Sequence, residues 1–74
     1  MDKKDLDIAY FISFCIEQYK TKYGFSGKEV MSLFEKYDVL QYLSDNFEVL
    51  HTQSRQWLIE EIEDYITKEK EKTL

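Results

Sequence analysis

The stretch IAYFISFCI, Ile8 to Ile16, decides how this chain folds. Only Ser13 interrupts an otherwise apolar run. Residues that recur at three- and four-residue steps share one face of a helix. One such buried stripe begins in this run and consists of Ile8, Phe11, Ile12, Cys15, Tyr19 and Tyr23.

The same run carries apolar residues outside that stripe, namely Tyr10, Phe14 and Ile16. The predicted first helix, about Asp5 to Tyr23, is therefore apolar on more than one face. A helix of this kind is central to its fold or is covered by a partner. Gly24 supplies a left-handed C-terminal cap.

A capping box predicts where the second helix begins. Ser26 can accept a hydrogen bond from the Glu29 amide, and the Glu29 carboxylate can reach back to the Ser26 amide. This helix extends to about Tyr37. Its buried stripe consists of Val30, Leu33, Phe34 and Tyr37.

Two further cap patterns follow. Asp38 with Gln41 predicts a short helix from Val39 to about Ser44. Asp45 with Glu48 predicts a second helical turn over residues 46–50.

The last helix is predicted from Arg55 to about Lys70, capped by Thr52 or Ser54. Its buried side is formed by Leu58, Ile59, Ile62, Tyr65 and Ile66. With no proline and no β-type alternation, residues 1–74 form one all-α domain, a compact bundle of four helices. A fifth short helical turn is left open. We expect order over about 5–69 and a fraying tail over 70–74.

Composition limits the functional classes. A single cysteine allows no internal disulfide, and the sequence has no Cys/His set with metal-ligand spacing. We expect no cofactor and no bound metal. The acidic N-terminal segment lacks a signal-peptide pattern, and the apolar run is too short to span a bilayer. We therefore expect a soluble cytoplasmic protein.

The net charge of −5 argues against nucleic acid and anionic membranes as partners. Both require a clustered basic surface, whereas the basic residues here are scattered among acids. A basic protein partner is compatible with this charge, and so is simple solubility.

Each candidate for chemistry also has a structural interpretation. Cys15 lies within an apolar helix, where burial raises the thiol pKa and leaves it inert. His51 has no nearby nucleophile and is expected to bond a backbone carbonyl near a helix end. Ser26 is explained by capping, not by a phosphate loop. The acidic run Glu60 to Asp64 is a solvated face or a patch for a basic partner.

The chain has more aromatic residues than one small core readily buries: one tryptophan, six tyrosines and five phenylalanines. Tyr10, Tyr19, Tyr42 and Trp57 suit protein interfaces because each combines an apolar ring with a polar group. Trp57 lies off the buried stripe of the last helix, so it is a half-buried rim residue or a partner-facing contact. We predict a partner surface formed by Tyr10, Tyr42, Trp57, Glu60, Glu61 and Asp64.

An ordered set of short segments resembles a known family. FCIEQYK, SGKEV, LF, KY, V, YL and LHT, over about residues 8–66, are similar to a family of short bacterial proteins catalogued as domain of unknown function 3791. Where that family has glycine after the KY pair, this chain has Asp38, which is expected to cap equally well. The resemblance implies a stand-alone helical domain without known catalytic residues. It also implies that family members are encoded beside other small proteins, some of which are similar to ADP-ribosyltransferase-like toxins.

These observations favour a non-catalytic protein-interaction module, antitoxin-like or an accessory partner of a neighbouring protein. A homodimer that covers the excess apolar surface of the first helix is the alternative. A helix-turn-helix-like regulator ranks below both because of the acidic charge, and an enzyme ranks last.

Overall fold

Five α-helices and no β-strand are found in the computed structural model, which describes residues 2–72. The helices are α1 (Lys3–Tyr23), α2 (Gly27–Lys36), α3 (Val39–Asp45), α4 (Phe47–Leu50) and α5 (Arg55–Lys72). The all-α prediction is confirmed, and the short fifth helix is present as α4. Helix α1 begins before the predicted Asp5, and α5 continues past the predicted Lys70. Residues 73 and 74, the end of the predicted fraying tail, lie outside the described residues.

The turn between α1 and α2 follows the sequence signals. Gly24 adopts a left-handed conformation (φ 68°, ψ 27°), and its N–H donates to the Lys20 carbonyl. The Glu29 amide donates to Ser26 Oγ, and the Ser26 amide donates to Glu29 Oε1, each at 3.1 Å. Both halves of the predicted capping box are therefore present, and α2 is held beside α1 by a short, well-bonded turn.

The predicted side-chain cap at Asp38 is wrong. Asp38 adopts a left-handed conformation (φ 58°, ψ 31°) and its side chain makes no cap hydrogen bond. A capping residue needs an extended backbone, which this conformation excludes. Gln41 instead donates from Nε2 to Asp45 Oδ1 at 2.7 Å. Glycine adopts a positive φ without strain, and aspartate is among the few other residues that tolerate this conformation.

The cap predicted at Asp45 is also wrong, because Asp45 is the last residue of α3. Asn46 precedes α4 and has no side-chain cap bond there; its Nδ2 donates to the Tyr42 carbonyl. Of the two residues predicted as possible caps of α5, Ser54 is the one that caps it: its Oγ accepts a hydrogen bond from the Trp57 amide at 3.2 Å. Thr52 Oγ1 donates to the Val49 carbonyl instead.

One hydrophobic core is formed by all five helices, and α1 packs against α2, α3 and α5. Tyr19 of α1 meets Phe34 of α2 edge-on, with ring centroids 5.3 Å apart. Phe34 is completely buried. The buried cluster consists of Phe11, Cys15, Tyr19, Val30, Phe34, Val39, Leu43, Phe47, Leu50, Leu58, Ile62 and Ile66.

Tyr19 was expected to suit an interface, but it is only 6% exposed and belongs to this core. It lies on the stripe that α1 turns towards its neighbours, so helical position outweighs the amphipathic chemistry of the ring. Within the part of the chain that is described, no helix has the length and apolarity needed to cross a membrane.

Candidate functional site

Three large apolar side chains line the outer side of α1. Leu6, Tyr10 and Phe14 follow one another at four-residue steps, so they lie on the same side of the helix. Their exposed fractions are 42%, 66% and 43%. We call these three residues the apolar α1 stripe. Such exposure is unusual for contiguous large side chains in a chain that already has a closed core.

A groove of about 770 Å³ opens beside this stripe, between α1 and α4. Phe11 and Phe47 lie beneath it, packed edge to face with ring centroids 5.6 Å apart. The residues around it are Asp2, Lys3, Lys4, Asp7, Tyr10, Phe11, Phe14, Phe47, Glu48 and His51. An apolar base with charged side chains around it suits the insertion of an apolar side chain from a binding partner.

His51 closes one end of the groove. Its Nδ1 lies 2.8 Å from the Phe47 carbonyl oxygen, and its ring stacks on Phe47 with centroids 4.5 Å apart. The expected backbone-carbonyl bond is thus confirmed. Glu48, on the same helix as Phe47, pairs with Lys4 of α1 at 3.1 Å. Serine, threonine and cysteine are missing from the described residues around the groove, whose one side-chain hydroxyl is that of Tyr10.

A second exposed surface lies on α5. Trp57, Glu60, Glu61 and Asp64 recur at helical steps, and we call them the acidic α5 face. Their side of α5 is opposite that of Ile62 and Ile66, which are buried in the core. Trp57 is 39% exposed. One large indole therefore lies among three carboxylates on an open helix surface.

Tyr42 of α3 connects this face to the rest of the fold. Its hydroxyl donates to Glu61 Oε1 at 2.8 Å, and its ring stacks on Tyr65 with centroids 4.2 Å apart. Burial, followed by the Glu61 hydrogen bond, raises the pKa of Tyr42 to about 12. These contacts fix the Glu61 carboxylate, so part of the acidic α5 face is preorganised.

The predicted partner surface is thus divided between two places. The structure brings together Tyr42, Trp57, Glu60, Glu61 and Asp64. Tyr10 belongs instead to the groove between α1 and α4. The sequence alone did not point to Leu6, which belongs to the apolar α1 stripe, or to Phe47, which lines the groove. The four-residue step from Leu6 to Tyr10 was a visible signal, whereas the proximity of Phe47 to α1 is a tertiary contact.

The remaining candidates have structural roles. Cys15 is buried, and burial raises its thiol pKa to about 12, as the interpretation of an inert thiol predicted. Ser26 is engaged in its capping box. Among the residues that the structure describes, no group of three or more His, Cys, Asp or Glu is placed to hold a metal ion. Helix α3, which would read DNA in a helix-turn-helix protein, has the sequence VLQYLSD and contains no basic residue.

Comparison with protein-family models gives a match over residues 10–69 to a family described as protein of unknown function, DUF3791. The chain belongs to this family. The resemblance expected from the sequence segments is confirmed, and the matched range contains α2, α3 and α4 completely. It includes Tyr10, Tyr42 and Trp57, together with Glu60, Glu61 and Asp64 of α5.

Comparisons with curated proteins and with solved structures find no match. The family description assigns no activity. Any functional argument therefore depends on the surfaces of the molecule itself.

Proposed function

We propose that this member of DUF3791 is a non-catalytic protein-interaction module. One observation carries the proposal: large apolar side chains remain exposed at Tyr10, Phe14 and Trp57 although the core is closed without them. Exposed aromatic residues on rigid helices are the usual anchors of protein interfaces, because they bury much area and lose little conformational entropy.

We assign the binding of another protein to the acidic α5 face. Trp57 provides an apolar anchor, and the carboxylates of Glu60, Glu61 and Asp64 lie on the same face, although Asp64 also pairs with Lys68 at 2.9 Å. Complementary charge steers a basic partner and fixes its orientation. The indole of Trp57, once the partner covers it, supplies most of the affinity. The Tyr42–Glu61 hydrogen bond at 2.8 Å limits the side-chain entropy lost on binding.

The most concrete form of this function is an antitoxin-like or accessory subunit in a bacterial cytoplasm. The partner would then be a neighbouring protein, for example an ADP-ribosyltransferase-like toxin. The family resemblance supports this form.

The proposal is tested by affinity capture from a lysate of the source organism. The tagged wild-type protein is compared with Trp57→Ala and with Thr67→Ala, a matched truncation of an exposed α5 residue. We expect one stoichiometric partner with the wild type and with Thr67→Ala, and loss of that partner with Trp57→Ala. Because the proposed contact is charged, capture should weaken as salt is raised.

The captured protein is then purified and titrated into the wild type, with Trp57 fluorescence as the readout. Trp57 is the only tryptophan of the chain. Its emission therefore reports directly on the α5 face when the partner has no tryptophan of its own or carries a label that distinguishes its emission. A shift to shorter wavelength indicates that the indole leaves water. Recovery of the bait alone, or equal capture by all three proteins, would contradict the assignment to Trp57.

A further inference from the structure

We propose that the apolar α1 stripe binds the same stripe of a second copy of this chain, in antiparallel orientation about a two-fold axis next to Tyr10. The proposal deepens the proposed function in one respect: it takes the exposed side chains of α1 as an interface and names what covers them. It uses a different surface from the acidic α5 face, so each assignment can fail without the other.

The first argument is the pattern of residues on this side of α1. At about 100° per residue, Lys3, Leu6, Tyr10, Phe14 and Glu17 all lie within roughly 40° of the direction of Tyr10. All five are exposed. Read along the helix, this side carries one positive charge, then three apolar groups, then one negative charge.

This order is self-complementary only in an antiparallel pair. A two-fold axis at Tyr10 places Leu6 of each copy opposite Phe14 of the other, and it places Lys3 opposite Glu17. Both ends of the interface thus carry an opposite-charge pair. A parallel pair would place Lys3 against Lys3 and Glu17 against Glu17, which like-charge repulsion disfavours.

The charged residues at the ends are suitably placed for such pairing. Glu17 accepts from Lys20 Nζ of its own helix at 3.2 Å, and its side chain remains 64% exposed. A carboxylate has two oxygens with several acceptor sites, so Glu17 can also receive Lys3 of the second copy. Antiparallel alignment also places the positive end of each helix dipole near the negative end of the other.

The groove beside the stripe provides space for the second copy. Its base of Phe11 and Phe47 is apolar, and its volume of about 770 Å³ is large enough for side chains of the opposing α1. The segment of α1 from Lys3 to Glu17 is about 21 Å long. This length makes an interface smaller than the standard protein–protein interface, so the dimer is expected to be weak and concentration-dependent.

The test is sedimentation velocity across a dilution series of the full chain, from about 1 mM to about 1 μM, where an interface of this size should dissociate. We expect monomer at the dilute end and dimer at the concentrated end. Tyr10→Asp places two carboxylates next to each other at the axis and should abolish the dimer. Thr67→Asp, which adds the same charge at an exposed position of α5, should leave it unchanged.

Charge reversal tests the orientation. Lys3→Glu alone and Glu17→Lys alone each create two like-charge contacts by symmetry, so each should weaken dimerisation by on the order of tenfold. The double variant Lys3→Glu/Glu17→Lys restores both opposite-charge pairs and should recover the wild-type dimer. Circular dichroism of each variant checks that α1 is still helical.

A constant monomer mass over the whole range would overturn the proposal, whatever partner the α5 face captures. A dimer that persists in Tyr10→Asp would overturn the assignment to the α1 stripe. If the double variant dimerised no more strongly than either single variant, the antiparallel orientation would be overturned. A Trp57→Ala variant that loses its protein partner but still dimerises would separate the two surfaces.

Discussion

The two sides of α1 carry similar side chains in different environments. On the inner side Phe11 is only 8% exposed and packs on Phe47, and Cys15 and Tyr19 are buried as well. On the outer side Phe14 follows Phe11 after three residues and remains open to solvent. Hydrophobicity alone does not separate the two sides. They differ in whether another helix of the same chain reaches them.

The stability and the association of α1 are expected to depend on different sides of the helix. Removal of apolar area from water stabilises the fold only where the area is actually covered. The inner side should therefore determine the free energy of unfolding, and the outer side should determine association.

The largest expected effect is that of Phe11→Ala. It removes a core ring and its contact with Phe47, and we expect the free energy of unfolding to fall by about 3 kcal/mol. Phe14→Ala is the matched control on the outer side, and its cost should be about 1 kcal/mol or less. Urea unfolding followed by circular dichroism measures both. Equal losses for the two variants would remove the basis of the comparison.

Cys15→Ser tests how apolar the inner side is. The hydroxyl would be buried at a position that is 2% exposed, among apolar neighbours. We expect a loss of about 2 kcal/mol, because a buried hydroxyl without a partner retains its desolvation cost. Cys15→Ala, which introduces no polar group, should cost less. If serine proved no worse than alanine, water or a polar partner would have to reach the inner side.

The inner side should also make the protein sensitive to alkaline pH. Burial raises the pKa of Cys15 from 9.0 to about 12, and burial, followed by repulsion from Glu63, raises the pKa of Tyr19 above its usual value. In α3, the pKa of Tyr42 is raised from 10.0 to about 12. As pH rises, the unfolded chain loses these protons before the folded chain does.

The sign of the effect follows from this order of deprotonation. The stabilising contribution is fully present below pH 9.0 and is lost progressively towards about pH 12. Urea unfolding over that interval should show a falling free energy of unfolding. Cys15→Ala should flatten the first part of the decline, since alanine does not titrate. A constant free energy up to about pH 12 would contradict the prediction.

The smallest expected effect on folding is that of Tyr10→Ala. Tyr10 is 66% exposed, and the free energy of unfolding of the dilute monomer should change by less than about 0.5 kcal/mol. At high concentration the same variant should lower the melting temperature relative to the wild type, because association stabilises the folded state by mass action. Calorimetry at two concentrations separates these effects. A large loss in the dilute monomer would show that Tyr10 contributes to the fold.

Much of the fold could be read from local signals. The capping box at Ser26 and the left-handed turn at Gly24 were predicted correctly, because each depends only on residues within a few positions. The caps predicted at Asp38 and Asp45 were wrong although their sequence pattern is of the same kind. In α3 the side chains of Gln41 and Asp45 bond each other instead, and a short sequence pattern does not reveal which of two local bonds is formed.

The residue pattern alone predicted that the chain is all-α, which stripe of each long helix is buried and that Cys15 lies in the core, since periodicity and burial are linked along a single helix. Tertiary packing determined whether the side chains outside the buried stripe of α1 are covered, and it leaves Tyr10 and Phe14 exposed. It also placed Phe47 beneath the groove and joined Tyr42 to Glu61. The physical reason is that exposure depends on which helices meet, and these contacts join residues far apart in the chain.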